Sequence, residues 1–158
     1  MISIRKALKE DATFLLEMIH GLAEYEKAPE QVTLSLDQLT KDGFSNDSFF
    51  KSIILEINNE KVGMAIYYNR YSTWKGKSLY LEDLYVIPEF RGRGLGLKTM
   101  KYLAHEAVET GCKRFEWQVL DWNEPSIQFY KKLNTDLDGE WVNCRLEGES
   151  LAALALNK

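Results

Sequence analysis

The chain has 158 residues, of which 45% are hydrophobic and 28% charged, and a formal net charge of −4 at pH 7. This length and composition predict one globular domain, residues 1–158, with a substantial core. The acidic balance argues against nucleic acid as the main partner. The sequence has no signal-peptide pattern and no apolar run of membrane length, so we expect a cytoplasmic protein that does not bind a membrane. Cys112 and Cys144 lack the spacing of a metal site, so we expect no metal.

The first half of the chain predicts a strand, two helices and three further strands. Alternating apolar residues indicate strands, and apolar residues spaced three and four apart indicate helices. A turn at residues 58–60 joins two of the strands. In chain order these elements are the strand Ile2–Arg5, a helix beginning at Asp11, a helix from Ser35 to Gly43, and the strands Phe50–Ile57, Val62–Tyr68 and Leu79–Ile87.

The last of these strands contains a break in its apolar alternation. Leu79 and Leu81 would point to the same face of the strand, and the next apolar residue on that face should be at position 83. The apolar alternation resumes at Leu84 instead. A one-residue slip would turn the core face outward, so the pattern predicts a β-bulge near Glu82 and Asp83. A strand buried on both faces would need no alternation and remains the alternative.

The second half predicts a glycine-rich loop, a long helix, a strand, a capped helix and a final strand. Asn123 is the expected N-cap and Pro125 lies in the first turn of the capped helix. These segments are the loop Arg91–Lys98, the helix around Met100–Val108 with a stop at Gly111, the strand around Phe115–Val119, the helix after Asn123, the strand Trp141–Leu146 and an apolar tail, Leu151–Leu156. Alternating strands and helices predict an α/β fold with a mixed sheet.

The glycine loop has the features of a phosphate or pyrophosphate site. Its glycines permit close backbone approach, the following helix begins with unpaired N–H groups, and two arginines add charge. A P-loop needs Gly-Lys-Ser/Thr in sequence, which Gly96-Leu97-Lys98-Thr99 does not provide, and the spacing G-x-G-x-G is not the dinucleotide fingerprint. A simple glycine turn with solvated basic residues is the alternative.

Several motifs together resemble the GNAT superfamily of acyl-CoA-dependent N-acetyltransferases. These are the Arg-Gly-x-Gly-x-Gly loop after a bulged strand and the later Asn-Glu-Pro-Ser-Ile-Gln-Phe-Tyr. Three other stretches resemble its spermidine/spermine N-acetyltransferase branch. They are Leu22–Glu26, Glu30–Val32, and Tyr67-Tyr68 with Tyr71, Trp74 and Gly76 followed by Leu79–Asp83. The resemblance implies the GNAT fold, with a mixed central sheet, a bulged strand before the glycine loop and helices on both faces.

The resemblance also implies acetyl-CoA as the acetyl donor. Its pyrophosphate would lie on the glycine loop and its pantetheine arm along the bulged strand. The positions implied to bind it are Leu84, Tyr85, Val86, Arg91, Gly92, Arg93, Gly94, Leu95, Gly96, Leu97, Asn123 and Ser126.

By the same resemblance, the acceptor is a small cationic amine: a polyamine, a diamine or a lysine analogue such as thialysine. Glu82 is expected to bind the cation and accept its proton, directly or through a water, and Tyr130 to protonate the CoA thiolate. The implied acceptor-binding residues are Tyr25, Glu26, Glu82, Glu116, Trp117 and Gln118. The family further implies a homodimer, to which the apolar tail could contribute.

Two departures from the branch's pattern bear on these expectations. Leu84-Tyr85 stands where the polyamine enzymes tend to carry two phenylalanines, a change at the implied pantetheine wall that bears on the choice of acceptor. Asn134 stands where the helix after the tyrosine often ends in glycine, and asparagine also tolerates a left-handed cap. A non-catalytic acyl-CoA-binding module and a protein lysine acetyltransferase are the alternative functions.

Overall fold

The computed structural model describes residues 1–156, which contain five strands and five α-helices. They divide into two compact units, one ending at Leu120 and the other beginning at Asp121. The strands are β1 (Ile2–Lys6), β2 (Lys51–Ile57), β3 (Glu60–Ser72), β4 (Gly76–Val86) and β5 (Arg114–Trp117). The helices are α1 (Ala12–Tyr25), α2 (Leu36–Phe44), α3 (Leu95–Glu109), α4 (Glu124–Lys131) and α5 (Gly148–Leu156).

The five strands of the first unit form one mixed sheet in the order β1-β2-β3-β4-β5. The first three pairings are antiparallel, and β4 pairs with β5 in parallel. Asn58 and Asn59 turn the chain between β2 and β3 with φ of 51° and 68°. Such positive φ values are typical of the tight hairpin turns that asparagine favours. The predicted mixed α/β architecture is confirmed.

Helices cover both faces of this sheet. On one face, α1 and α2 pack over a core cluster made of Leu15, Met18, Leu39, Ile54, Met64, Ile66 and Tyr85. Consecutive strand residues point to opposite faces, so Tyr67 faces away from this cluster. There its hydroxyl donates a 2.7 Å hydrogen bond to Glu106 on α3. The buried residues of α1, Ala12, Leu15 and Met18, have the three-residue spacing expected of an amphipathic helix.

The predicted bulge is present in β4. Ile66 lies opposite Asp83, but the next residue, Tyr67, lies opposite Leu81. Glu82 is therefore the extra residue, without a partner of its own in β3. This shift keeps both halves of β4 in phase with the core, which is the reason given for expecting it.

In the second unit, the predicted capping of α4 is confirmed. The Asn123 side chain accepts a hydrogen bond from the backbone N–H of Ser126, and Pro125 lies in the first turn. Asn134, three residues after this helix, has a φ of 58°. Asparagine is thus in the left-handed conformation that was expected to suit it.

The predicted last strand is wrong. Residues 141–147 form no regular secondary structure, and Trp141 and Val142 are exposed. A strand needs a neighbour to complete its hydrogen-bonded ladder, and apolar alternation alone does not supply one. The apolar tail forms α5 instead. Among residues 1–156, no helix is long and apolar enough to span a bilayer.

Candidate active site

The glycine loop joins β4 to α3 through two residues in the left-handed conformation. Gly92 has a φ of 73° and Gly94, the N-cap of α3, a φ of 82°. A Cβ at either position would meet no atom within 4 Å, so the glycines serve the backbone conformation rather than relieve crowding. The first intrahelical bond runs from the N–H of Lys98 to the carbonyl of Gly94. The preceding N–H groups of the helix therefore have no intrahelical acceptor and can bind an anion.

The edge of β4 is open next to this loop. The parallel pairing with β5 ends with Leu81 opposite Trp117. Beyond it, Glu82 has no strand partner and Asp83 to Val86 pair only with β3 in the sheet. Backbone N–H and C=O groups on the β5 side of this segment are thus left without a strand partner, which suits binding of an extended, amide-containing ligand.

Arg91, at the start of the glycine loop, is held between two aromatic rings. Its guanidinium carbon lies 5.0 Å from the ring centroid of Tyr25 and 5.3 Å from that of Tyr85. Its Nε also donates a 2.9 Å hydrogen bond to the carbonyl of Val86. Arg91 therefore links the end of α1, strand β4 and the glycine loop through cation–π contacts and a hydrogen bond.

Three carboxylates come together at the bulge, and Glu26, Glu82 and Asp83 are here called the acidic cluster. Asp83 is half-buried, and burial, followed by the charges of Glu82 and Glu26, raises its pKa to about 7. Burial also raises the pKa of Glu26. A carboxylate pKa is raised where negative charge is poorly solvated or crowded, and a bound cation would relieve both effects.

Two tyrosines adjoin the acidic cluster. The phenol of Tyr68 donates a 2.8 Å hydrogen bond to Oε2 of Glu82, and its ring lies 5.4 Å from that of Tyr80. Burial and the bond to Glu82 raise the pKa of Tyr68, so its phenol keeps its proton and remains a donor. This bond orients the Glu82 carboxylate, which is otherwise exposed.

The three acceptor-side residues predicted at β5 lie at the end of that strand. Glu116 is opposite Tyr80, and its carboxylate forms a salt bridge of 3.5 Å with the guanidinium of Arg114. Trp117 packs against Phe115, with 4.9 Å between ring centroids. Gln118 follows the strand and is exposed. Burial raises the pKa of Tyr80, and the charges of Glu82 and Glu116 add to this effect.

The remaining predicted residues belong to the second unit. Asn123 and Ser126 form the cap of α4, and Tyr130 lies near the end of that helix, with its ring 5.3 Å from that of Phe129. Among residues 1–156, no group of three or more His, Cys, Asp or Glu side chains is arranged to hold a metal.

Sequence reasoning did not single out Asp83, Tyr68 or Tyr80 as site residues. The signal for Asp83 was its place beside Glu82 at the expected bulge, because classic bulges direct neighbouring side chains towards one face. Tyr68 and Tyr80 lie in two adjacent strands, and only the register between these strands shows that they meet.

Comparison with known proteins places this geometry in a family. Residues 12–134 match the model of the acetyltransferase (GNAT) family. Thialysine N-epsilon-acetyltransferase of Sus scrofa is 42% identical, covering 98% of this chain and 97% of that protein. The human spermidine/spermine N(1)-acetyltransferase-like protein 1 is 35% identical over 96% of this chain but only 23% of its own length.

A solved structure has the same fold over nearly the whole chain. An integron cassette protein from the mobile metagenome of V. cholerae superposes with a TM-score of 0.81 at 28% identity, covering 98% of each chain. Together with the bulged strand and glycine loop, these similarities show that the chain is an acetyltransferase of the GNAT family, in the branch that resembles the spermidine/spermine enzymes.

Proposed function

We propose that the protein transfers an acetyl group from acetyl-CoA to a primary amine of a small cationic acceptor: a lysine analogue, a diamine or a polyamine. The observation that carries this proposal is the acidic cluster beside the open edge of β4. Glu82 is the unpaired residue of the bulge, and Glu26 and Asp83 add negative potential around it. Such a site suits an alkylammonium ion next to a thioester.

The residues of the first unit fit acetyl-CoA. The N–H groups at the start of α3, from Leu95 to Leu97, would bind the pyrophosphate together with Arg93. The open edge of β4 from Leu84 to Val86 would bind the pantetheine arm. Acetyl-CoA then supplies the acetyl thioester. Arg91 supports this site by holding the loop against α1 and β4.

Two residues would move the protons that the reaction requires. An alkylammonium with a pKa of about 10.4 must lose a proton before its nitrogen can attack, and Glu82 accepts that proton directly or through a water. The CoA sulfur needs a proton as it leaves, and the hydroxyl of Tyr130 provides it. Asn123 and Ser126 would also contact the cofactor, as the family resemblance implies.

We also propose that the protein acts as a homodimer in the cytoplasm. The exposed leucines of α5, Leu151, Leu154 and Leu156, support an interface in the second unit. Sedimentation equilibrium would show a dimer, and the triple Leu→Gln variant would show a monomer. A wild-type monomer at micromolar concentration would contradict the dimer.

The role of Glu82 is tested by Glu82→Gln, with Glu60→Gln at the exposed first residue of β3 as the matched control. We expect kcat to fall by about 10²-fold or more at pH 7 in the first variant, because a general base is lost. The deficit should shrink as the pH approaches the amine pKa, since solvent then removes the proton. A Glu82→Gln deficit that does not depend on pH would refute the base role. Unchanged kcat would refute any catalytic role.

A further inference from the structure

Arg70, near the end of β3, places a fixed positive charge beside the acidic cluster. Its guanidinium carbon lies 5.3 Å from the ring centroid of Tyr80. Tyr80 packs against Tyr68, whose hydroxyl holds the Glu82 carboxylate. The guanidinium and the proposed base are therefore connected through two tyrosine rings that are in contact.

The Arg70 guanidinium has hydrogen-bond donors that are available to a ligand. Within residues 1–156 its side chain forms neither a hydrogen bond nor a salt bridge, and it is exposed. Arg114, in the next strand but one, contrasts with it because it lies 3.5 Å from the Glu116 carboxylate. Arg70 therefore presents its donors to solvent, in an orientation supported by the Tyr80 ring.

An exposed guanidinium beside a site for a cation suits an acceptor that carries both a carboxylate and an ammonium group. Guanidinium is a fork of donors that matches a carboxylate, often through two hydrogen bonds. Thialysine, the acceptor named for the Sus scrofa relative, is an amino acid with an α-carboxylate as well as a side-chain amine. Spermidine and spermine have amines only.

We propose that Arg70 binds the α-carboxylate of an amino-acid acceptor whose side-chain amine lies at Glu82. This inference rests on the proposed function and specifies its acceptor class as lysine-like amino acids. Arg70 would also discriminate against polyamines, because their second ammonium group would meet a like charge at this position. Attraction of the α-carboxylate and repulsion of a second ammonium group by Arg70 would both favour amino acids over polyamines.

The test compares Arg70→Gln and Arg70→Lys with the wild-type protein on matched acceptors. Lysine is paired with cadaverine, which is lysine without its carboxylate, and thialysine with its decarboxylated counterpart. Lys9→Gln is the control because it removes the same charge from an exposed residue before α1. That helix has 14 residues, so about 20 Å separates Lys9 from the acidic end of α1.

We expect wild-type kcat/KM to favour the amino acids over their decarboxylated partners. Arg70→Gln should lower kcat/KM for the amino acids by about tenfold or more, mainly through KM, because a charge-assisted interaction is lost. The decarboxylated acceptors should be unaffected or improved. Arg70→Lys should recover part of the loss, and Lys9→Gln should match the wild type for all acceptors.

The outcomes separate this inference from the proposed function. Equal losses for both members of each pair would overturn the carboxylate role while leaving amine acetylation intact. So would wild-type preference for the decarboxylated amines, or unchanged kinetics in Arg70→Gln. Absence of acetylation with every amine would overturn the proposed function and this inference together.

Discussion

Replacing Asp83 with asparagine should change how stability depends on pH. Burial and the neighbouring acids raise the pKa of Asp83 from 3.8 to about 7. Because the folded state binds this proton more tightly than the unfolded chain, the free energy of unfolding should fall as the pH rises from about 4 to about 7. The full loss is at most about 4 kcal/mol, from 1.36 kcal/mol for each unit of pKa. Asp83→Asn keeps the shape of the neutral acid and should not suffer this loss.

Urea unfolding, followed by tryptophan fluorescence at several pH values between 4 and 8, measures this difference. The free energy of unfolding of Asp83→Asn minus that of the wild type should be near zero at pH 4 and increase steadily towards pH 8. Asp37→Asn, at an exposed position on α2, should show no such trend. If the difference in unfolding free energy stayed constant over this pH range, the claim that burial and neighbouring acids raise the pKa of Asp83 would be refuted.

Two further substitutions test the catalytic tyrosine and the glycine loop. Tyr130→Phe should lower turnover by about 10²-fold or more while acetyl-CoA binding, measured by calorimetry, is preserved; wild-type turnover would rule out the role as general acid. Gly94→Ala should destabilise the protein by about 1–2 kcal/mol in thermal unfolding, because its φ of 82° is strained for alanine. Gly139→Ala is the matched control, since its added Cβ meets no neighbour and its φ is not in the left-handed region, and equal melting temperatures in the two variants would contradict this reason.

The local features of the fold could be predicted because each depends on a pattern of residues that are neighbours in the sequence. The bulge at Glu82 follows from a phase break in one strand, and the cap at Asn123 from the residues that begin a helix. The apolar alternation of Trp141–Leu146 wrongly predicted a strand. A strand also needs a hydrogen-bonded neighbouring strand, which the alternation of one segment does not reveal.

The interactions between distant segments could not be predicted in the same way. Arg91 was expected near the pyrophosphate because of its neighbours in the loop, but its contacts with Tyr25 and Tyr85 depend on how α1 packs on β4. The exposed guanidinium of Arg70 next to Tyr80 likewise depends on the register of β3 against β4. These contacts are created by packing, and no local spacing encodes them.

Release of free thiol from acetyl-CoA, measured against a panel of amines, tests the central claim most directly. The panel contains lysine, thialysine, putrescine, spermidine, spermine and a lysine peptide. We predict saturable turnover with a small amine, highest with thialysine or lysine. Turnover with the peptide alone would indicate a protein lysine acetyltransferase. Tight binding of acetyl-CoA without turnover of any amine would contradict the proposed enzyme activity and favour a non-catalytic acyl-CoA-binding module.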